Sequence, residues 1–536
     1  MRYSVKLAIA TNTFSIKKSK RLYTKSLHSS CEGGIDEDGV SFGGVSPVQE
    51  VRKNILFNVE TMLFYEVTPL VYDLVSLLST DAHEDPIKSL KRRYRKREIE
   101  HASSYLKREG FLKEGLSHVS EQKPLLKRRW GIRHLELMLT HDCNMRCRYC
   151  YGSRGEEGWG EAPYLYGADT KGMSFETAKN GIDYLFEASG KQKELSVVFF
   201  GGEPLLEFAL IQKIVPYIRE RESETGKKVN LSLSTNGLLL TEEIGEFLIK
   251  NRVSVQISID GPKEIHDRSR CLPGGSGSYD LIMPGIKRLI AARPGKVPAR
   301  VTVSHNMVDL PKVVEHLLSL GFGSVHIEPA MGHSGDLVVT QKDIEAMKLQ
   351  NEALATFLVR NVKKNRYFNY TNLVKFIRQT RVVKGRLAHY CGAGRTYFAL
   401  AQDGGFYPCH RFVGLEEYRM GDIENGIDLS LQKKILGLTV DNRPVCRECW
   451  ARYLCGGGCW HHAVEMNRCL EVPDNELSCE LIRHQIECAM AINSELKVSD
   501  KEILTDLYEE ATEPYLVTGT QGEKSYAKKG IAEVAV

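Results

Sequence analysis

Cysteine placement constrains this chain more than any other feature. Of its 14 cysteines, three lie between Cys143 and Cys150 and nine between Cys391 and Cys488. Thiols bunched this closely in a chain of 536 residues suit metal sites rather than a disulfide framework. Closely spaced free thiols also need a reducing compartment, so the expected location is cytoplasmic. The charge balance, 73 basic against 68 acidic residues, is too even for a nucleic-acid-binding surface. No apolar run approaches the roughly 18–20 residues that span a bilayer, which argues against a membrane protein.

The first 31 residues hold seven Lys/Arg and no acid. They lack a long apolar core, and residues 1–45 read as a basic, disordered start rather than a targeting segment. Residues 46–122 suggest a small α+β domain. Ile55–Val59 and Met62–Val67 have strand composition, and Pro69–Ser79 has helical periodicity through Leu70, Leu74, Leu77 and Leu78. The basic run Lys91–Arg97 opens another helix that ends near Gly110, and is expected to be a solvated face.

Residues 130–335 change rhythm. Apolar, β-like runs at His134–Thr140, Leu195–Phe200, Val229–Ser234, Ser254–Ile259, Arg300–Ser304 and Ser324–Glu328 alternate with helical stretches. That alternation indicates parallel β/α units. Six are too few for a closed eight-fold barrel, so the expected α/β fold is an open, partial (β/α)6 TIM-like barrel. Its chemistry would sit on loops after the C-terminal strand ends. Residues 336–390 read as a helical connector. Residues 391–490 form a cysteine-rich domain that depends on metal for its fold, and 491–536 a C-terminal helix and loose tail.

Cys143-x3-Cys147-x2-Cys150 directly follows the first barrel strand. Three thiolates from one short loop can hold three corners of a cubane iron–sulfur cluster, leaving one iron open for reaction. A zinc site completed by His141 is the alternative. With Tyr149 inside the loop, the pattern resembles the radical S-adenosylmethionine (radical SAM) enzymes. The resemblance implies a [4Fe–4S] cluster whose open iron is chelated by S-adenosyl-L-methionine, and reductive cleavage of that cofactor to a 5′-deoxyadenosyl radical. Three further strand ends agree with it. Gly201-Gly202-Glu203-Pro204 offers close backbone approach and a carboxylate suited to an ammonium group. Ser234-Thr235-Asn236-Gly237 suits a ribose, and Ser258-Ile259-Asp260-Gly261-Pro262 precedes Arg270. The resemblance therefore makes Tyr149, Gly201, Gly202, Glu203, Ser234, Asn236, Ser258, Asp260 and Arg270 cofactor-binding candidates, with Ser258 and Arg270 at the cofactor carboxylate.

Cys391, Cys409, Cys446-x2-Cys449-x5-Cys455-x3-Cys459 and Cys479 resemble the seven-cysteine extension called the SPASM domain. The resemblance implies two auxiliary [4Fe–4S] clusters, three clusters in all. Cys446, Cys449, Cys455 and Cys479 would close one, while Cys391, Cys409 and Cys459 supply three ligands to the other. Either Cys469 or Cys488 completes that second set, or the vacancy receives a substrate thiol. Cys31 and Cys271 read as unrelated, and the adjacent His461 and His462 as surface or core residues. A zinc ribbon is the alternative for the four close cysteines.

The segment from Cys391-Gly392-Ala393-Gly394 to Tyr407-Pro408-Cys409-His410-Arg411-Phe412-Val413-Gly414 is similar to maturases that build thioether bonds in cysteine-rich peptides. It is similar too to the enzyme crosslinking the small subunit of quinohemoprotein amine dehydrogenase. These likenesses imply a peptide-modifying oxidoreductase whose partners are a cysteine-containing precursor peptide or small subunit and a flavodoxin- or ferredoxin-type electron donor. They also imply that the unit at 46–122 binds a leader peptide. Sulfatase-maturating enzymes carry an aspartate base where His410 stands here, so His410 is the catalytic candidate. Formylglycine formation or carbon–carbon crosslinking is the rival outcome, and a non-catalytic scaffold the remaining one.

Overall fold

The computed structural model describes residues 3–10, 51–59, 62–78, 86–108, 131–152, 171–331, 337–364, 366–381, 386–474 and 477–496. The first unit has strands β1 (Tyr3–Ala10), β2 (Val51–Asn58) and β3 (Leu63–Glu66), then helices α1 (Pro69–Leu78), α2 (Pro86–Leu90) and α3 (Lys96–Arg108). The sheet order is β1-β2-β3, with β1 parallel and β3 antiparallel to β2.

The strand β1 corrects the expectation of a disordered start. Tyr3, Val5, Leu7 and Ile9 alternate with Ser4, Lys6, Ala8 and Ala10, a period of two that suits a strand. A basic count taken over 31 residues hides that short alternation. The remainder of 1–45, with Cys31, lies outside the described residues, as do residues 109–122. The basic run does behave as a solvated face: Lys91, Arg92, Arg95, Lys96 and Arg97 are exposed, and Arg93 pairs with Asp73 at 2.9 Å.

The two faces of β2 serve two cores. Leu56 packs with Leu74, Val75, Ile99 and Leu106 beneath α1 and α3. Ile55 and Phe57 join the main core instead, where Phe57 meets Trp450 edge-on at 5.9 Å. The N-terminal unit is thus docked on the cysteine-rich region.

Six parallel strands follow: β4 (His134–Met138), β5 (Glu194–Phe200), β6 (Lys228–Thr235), β7 (Val253–Ser258), β8 (Pro298–Val303) and β9 (Ser324–Pro329). Between them run α4 (Phe175–Ala188), α5 (Phe208–Thr225), α6 (Glu242–Lys250), α7 (Lys263–Ser269), α8 (Tyr279–Ala292) and, before β9, α9 (Leu310–Ser319). Ser174 and Thr241 cap α4 and α6 by accepting backbone N–H groups. One sheet face is apolar: Leu137, Val197, Leu231, Val255 and Val301 pack with Ile182, Ile211, Ile286 and Val313 of the helices.

The sheet stays open, and the chain beyond the barrel extends both edges. Helix α10 (Gln341–Val362) leads to β10 (Asn369–Tyr370), parallel to β9, and then to α11 (Thr371–Arg381). At the other edge β11 (Tyr397–Leu400) runs parallel to β4 and pairs antiparallel with β12 (Phe406–Tyr407). The cysteine-rich region therefore continues the barrel's own sheet. It holds a two-residue hairpin, β13 (Gly421–Asp422) and β14 (Gly426–Ile427), then α12 (Leu429–Gly437), α13 (Pro444–Arg447), α14 (Arg452–Cys455), α15 (Trp460–Asn467) and α16 (Ser478–Glu495). The last helix starts earlier than the expected boundary at 491, with Cys479 in its first turn. Lys348 pairs with Glu480 at 2.7 Å and Asn493 Nδ2 donates to Ile377 O at 2.8 Å, fastening α16 to α10 and α11. Residues 497–536 lie outside the described residues. Among those described, no helix is long and apolar enough to cross a membrane.

Candidate functional site

The loop after β4 is pinned from two sides. Arg146 N donates to Cys271 O at 2.7 Å and Arg148 N to Ser269 O at 2.8 Å, both beyond the C-terminal end of β7. From β5, Gly202 N donates to Thr140 O and Glu203 N to Asp142 O, each at 2.8 Å. The glycines are needed for this crossing. A Cβ on Gly201, whose φ is +150°, would stand 2.3 Å from Thr140 O, and one on Gly202 would stand 2.1 Å from Asp142 O. Their close approach is to the cysteine loop itself.

Cys143, Cys147 and Cys150 come together in this loop, near enough that each sulfur's charge opposes ionisation of another. Burial pushes Cys143 and Cys147 up to about 12 and Cys150 up to about 11. Met145 N lies 3.5 Å from Cys143 Sγ, and Gly152 N–H faces Cys150. Half-buried thiols on one loop that receive backbone N–H groups fit a cluster whose irons supply the missing positive charge, although among the described residues no three ligand-type side chains are already set around one metal ion.

The polar strand ends gather around that loop. Tyr149 donates its hydroxyl to Asp260 Oδ2 at 2.5 Å, and the Arg270 guanidinium lies over the Tyr149 ring at 5.4 Å while pairing with Asp260 Oδ1 at 3.0 Å. Thr302 N also donates to Asp260 Oδ1, at 2.9 Å. Glu203 is 1% exposed and accepts from Thr235 Oγ1 at 2.7 Å, Asn236 N at 2.8 Å and Leu205 N at 3.1 Å. Burial pushes its carboxyl up to about 7, against those hydrogen bonds. Its carboxylate thus ties the end of β5 to the end of β6. Asn236 Nδ2 donates to Asn144 Oδ1 at 2.8 Å, while Ser234 and Ser258 stay partly exposed.

The C-terminal thiols lie near one another in two sets of electrostatic neighbours. Cys446, Cys449, Cys455 and Cys479 act electrostatically on one another, and so do Cys391, Cys409 and Cys459. Gly456, Gly457 and Gly458 have φ of +78°, +102° and +74°, a left-handed run that presents the N–H groups of Gly457 and Gly458 to Cys455. Cys488 is placed apart, buried in α16 with Sγ 3.5 Å from His484 Nε2. Cys469 lies beside Tyr418 and Arg443, and Cys271 is buried with Sγ 3.5 Å from Asp267 O. His461 and His462 are core residues, 5% and 7% exposed.

The two cysteine regions meet across a few rings. His410 stacks on Phe200, with centroids 4.4 Å apart, and lies 6.2 Å from Tyr151, the residue after Cys150. Arg411 covers Tyr151 at 4.8 Å. His410 Nδ1 is 2.8 Å from Glu136 Oε2, which also accepts from the Tyr397 hydroxyl and, at 3.2 Å, from His410 N. The contact of Nδ1 with a carboxylate fixes the orientation of the imidazole.

Glu136, Tyr151, Tyr397, Arg300, Glu328 and Arg411 were not singled out from the sequence. A signal was present. Parallel strands covered on both faces are near-continuously apolar, yet β4 places His134 and Glu136, and β9 His326 and Glu328, at every second position. Polar residues at period two mark a sheet face turned toward a polar lumen.

Residues 137–316 match the radical SAM superfamily. An uncharacterized protein of Methanocaldococcus jannaschii is 32% identical over 37% of this chain and 63% of its own length, so the chain spans under two thirds of that relative. An uncharacterized protein of Archaeoglobus fulgidus is 30% identical over 66% of this chain and 80% of that protein. A cysteine-type anaerobic sulfatase-maturating enzyme of Clostridium novyi is 23% identical, over 60% of this chain and 85% of that one. Among solved structures, that of anSMEcpe with bound AdoMet superposes with a TM-score of 0.58 at 19% identity, covering 70% of this chain and 98% of that one. Matched in sequence over residues 137–316 and sharing the fold of the AdoMet-bound anSMEcpe, the chain belongs to the radical SAM superfamily.

Proposed function

We propose that the enzyme is a maturase that joins a cysteine sulfur to a carbon of another residue in a peptide or small protein subunit. The observation that supports this reading is the contact of Tyr151 with His410, which brings the loop after Cys150 against the loop after Cys409. Cys143, Cys147 and Cys150 would hold the reactive cluster. Ser234, Asn236, Ser258 and Arg270 would hold the cofactor, with Tyr149 and Asp260 fixing Arg270, and Gly201, Gly202 and Glu203 fixing the loop. Cluster and cofactor together supply the radical that removes a hydrogen from carbon.

Cys446, Cys449, Cys455 and Cys479 would hold one auxiliary cluster, and Cys391, Cys409 and Cys459 a second that lacks a fourth motif cysteine. A substrate thiol is the donor suited to that gap, and a nearby iron would lower its pKa. The imidazole of His410, oriented by Glu136, is placed to take a proton. A ferredoxin- or flavodoxin-type protein would supply electrons. The N-terminal unit would bind the precursor's leader. Its strand β3 is a sheet edge with Leu63 40% exposed, beside a groove lined by Val67, Leu70, Val71, Ala102 and Tyr105.

Similarity to sulfatase-maturating enzymes favours a second reading, oxidation of a single residue to formylglycine. Histidine at 410, in place of the aspartate of those enzymes, tells against it. The thiol gap distinguishes the two. In the C143A/C147A/C150A variant a cysteine-bearing peptide is expected to change the spectrum of the remaining iron, and its serine counterpart to leave it unaltered. C469S and C488S are expected to keep all their iron. Loss of about four irons from either would close the gap with a protein thiol and defeat the proposal.

A further inference from the structure

The lumen-side residues of β8 and β9 include Arg300, Thr302, His326 and Glu328. Glu328 is already committed: its Oε1 lies 2.8 Å from His326 Nε2, and His326 Nδ1 lies 2.6 Å from Thr371 Oγ1. Arg300 Nη1 reaches the same Oε1 only at 3.7 Å, beyond hydrogen-bond distance. Among the described residues this is the one ion pair of Arg300, whose other electrostatic neighbours include Arg411, Tyr390, Tyr151, Lys375, His326 and His462. The side chain is 28% accessible although it points into the lumen.

Glu328 also faces Lys375 and Arg411, so one carboxylate is set among three cations. Two of those cations have other work. Lys375 lies beside Cys455 and Arg411 beside Cys459, so each already faces a sulfur. Arg300 instead neighbours Arg411, Tyr390 and Tyr151. Burial works against its charge, Glu328 supports it, and Arg411 works against it again. A guanidinium offers a planar fork matched to a carboxylate, and this one is left with most of its donors and an excess of like charge nearby.

We propose that Arg300 anchors a carboxylate of the peptide substrate, either an acidic side chain or the C-terminal carboxylate, in the lumen beside Tyr151. The proposal rests on the reading of the enzyme as a peptide maturase and names a feature its substrate must carry. Paired with Arg300, an acidic residue would fix the peptide one strand away from the Asp260–Arg270 pair.

The test uses the full-length, anaerobically reconstituted enzyme loaded with S-adenosyl-L-methionine, and calorimetry with three acetylated, cysteine-containing pentapeptides. One has an aspartate and an amidated C-terminus, one asparagine instead with the same amide, and one asparagine with a free C-terminal carboxylate. The enzyme is expected to bind one carboxylate peptide at least about tenfold tighter than the neutral one, as charge-assisted hydrogen bonds allow. Whichever peptide that is names the source of the carboxylate. R300Q is expected to lose the preference and R300K to keep part of it. Equal affinity for all three peptides, no measurable binding of any, or a preference that survives in R300Q overturns the proposal. So does loss of S-adenosyl-L-methionine affinity in R300Q, which would assign the arginine to the cofactor. Because binding is read independently of the product formed, this proposal and the thioether reading can each fail alone.

Discussion

Replacing Cys143, Cys147 and Cys150 together with alanine is expected to abolish 5′-deoxyadenosine formation while leaving about eight irons bound. The reason is spatial. The loop that carries these thiols is held by Thr140, Asp142, Arg146 and Arg148 backbone contacts to β5 and to the turn after α7. The C-terminal thiols instead rest on β11, β12 and the helices that follow. Removing the first set leaves the second set's supports untouched, so cofactor cleavage and iron content should separate. Iron analysis with deoxyadenosine quantification checks this, and loss of all iron would show that the sets do not fold independently.

A comparable loss of cofactor cleavage is expected from a single methyl group. In G202A the new Cβ would stand 2.1 Å from Asp142 O, a backbone atom that cannot turn aside as a side chain can. Overpacking of this kind typically costs about 1–3 kcal/mol. Here the relief available is displacement of the loop that orders Cys143. G202A should therefore lose about four irons and nearly all cofactor cleavage, yet keep the C-terminal iron. Gly245 in α6 is the control: a Cβ there meets nothing within 4 Å, and G245A should fold and cleave the cofactor normally. Full iron content in G202A would mean that the crossing tolerates a side chain.

What the sequence made legible followed from periodicity and spacing. The six barrel strands fall within a few residues of their expected limits, because each is an apolar run bounded by polar loop residues. The loop of Cys143, Cys147 and Cys150 was legible because its spacing is local, whereas the division of the later cysteines followed only from the family resemblance. Three features were not. The strand Tyr3–Ala10 finds its partner about fifty residues later, across a segment whose basic composition dominates any window average. The joining of β11 to β4 is a pairing of residues 397–400 with 134–137, which no local pattern encodes. Glu136, Arg300 and Glu328 gain meaning only when the sheet curves and brings β4, β8, β9 and the Cys409 loop around one lumen. Glu203 is the converse case, a motif carboxylate whose hydrogen bonds are spent on the protein's own backbone and on Thr235.

The most direct test of the account is the mass and fragmentation of a cysteine-bearing precursor after one round of reaction with the reconstituted enzyme and S-adenosyl-L-methionine. A thioether between that cysteine and another residue's carbon removes two hydrogens and keeps every sulfur, and fragmentation between the joined residues is suppressed. That is the predicted result. A product that has lost its cysteine sulfur, or one crosslinked between two carbons with its thiol still open to alkylation, would contradict it.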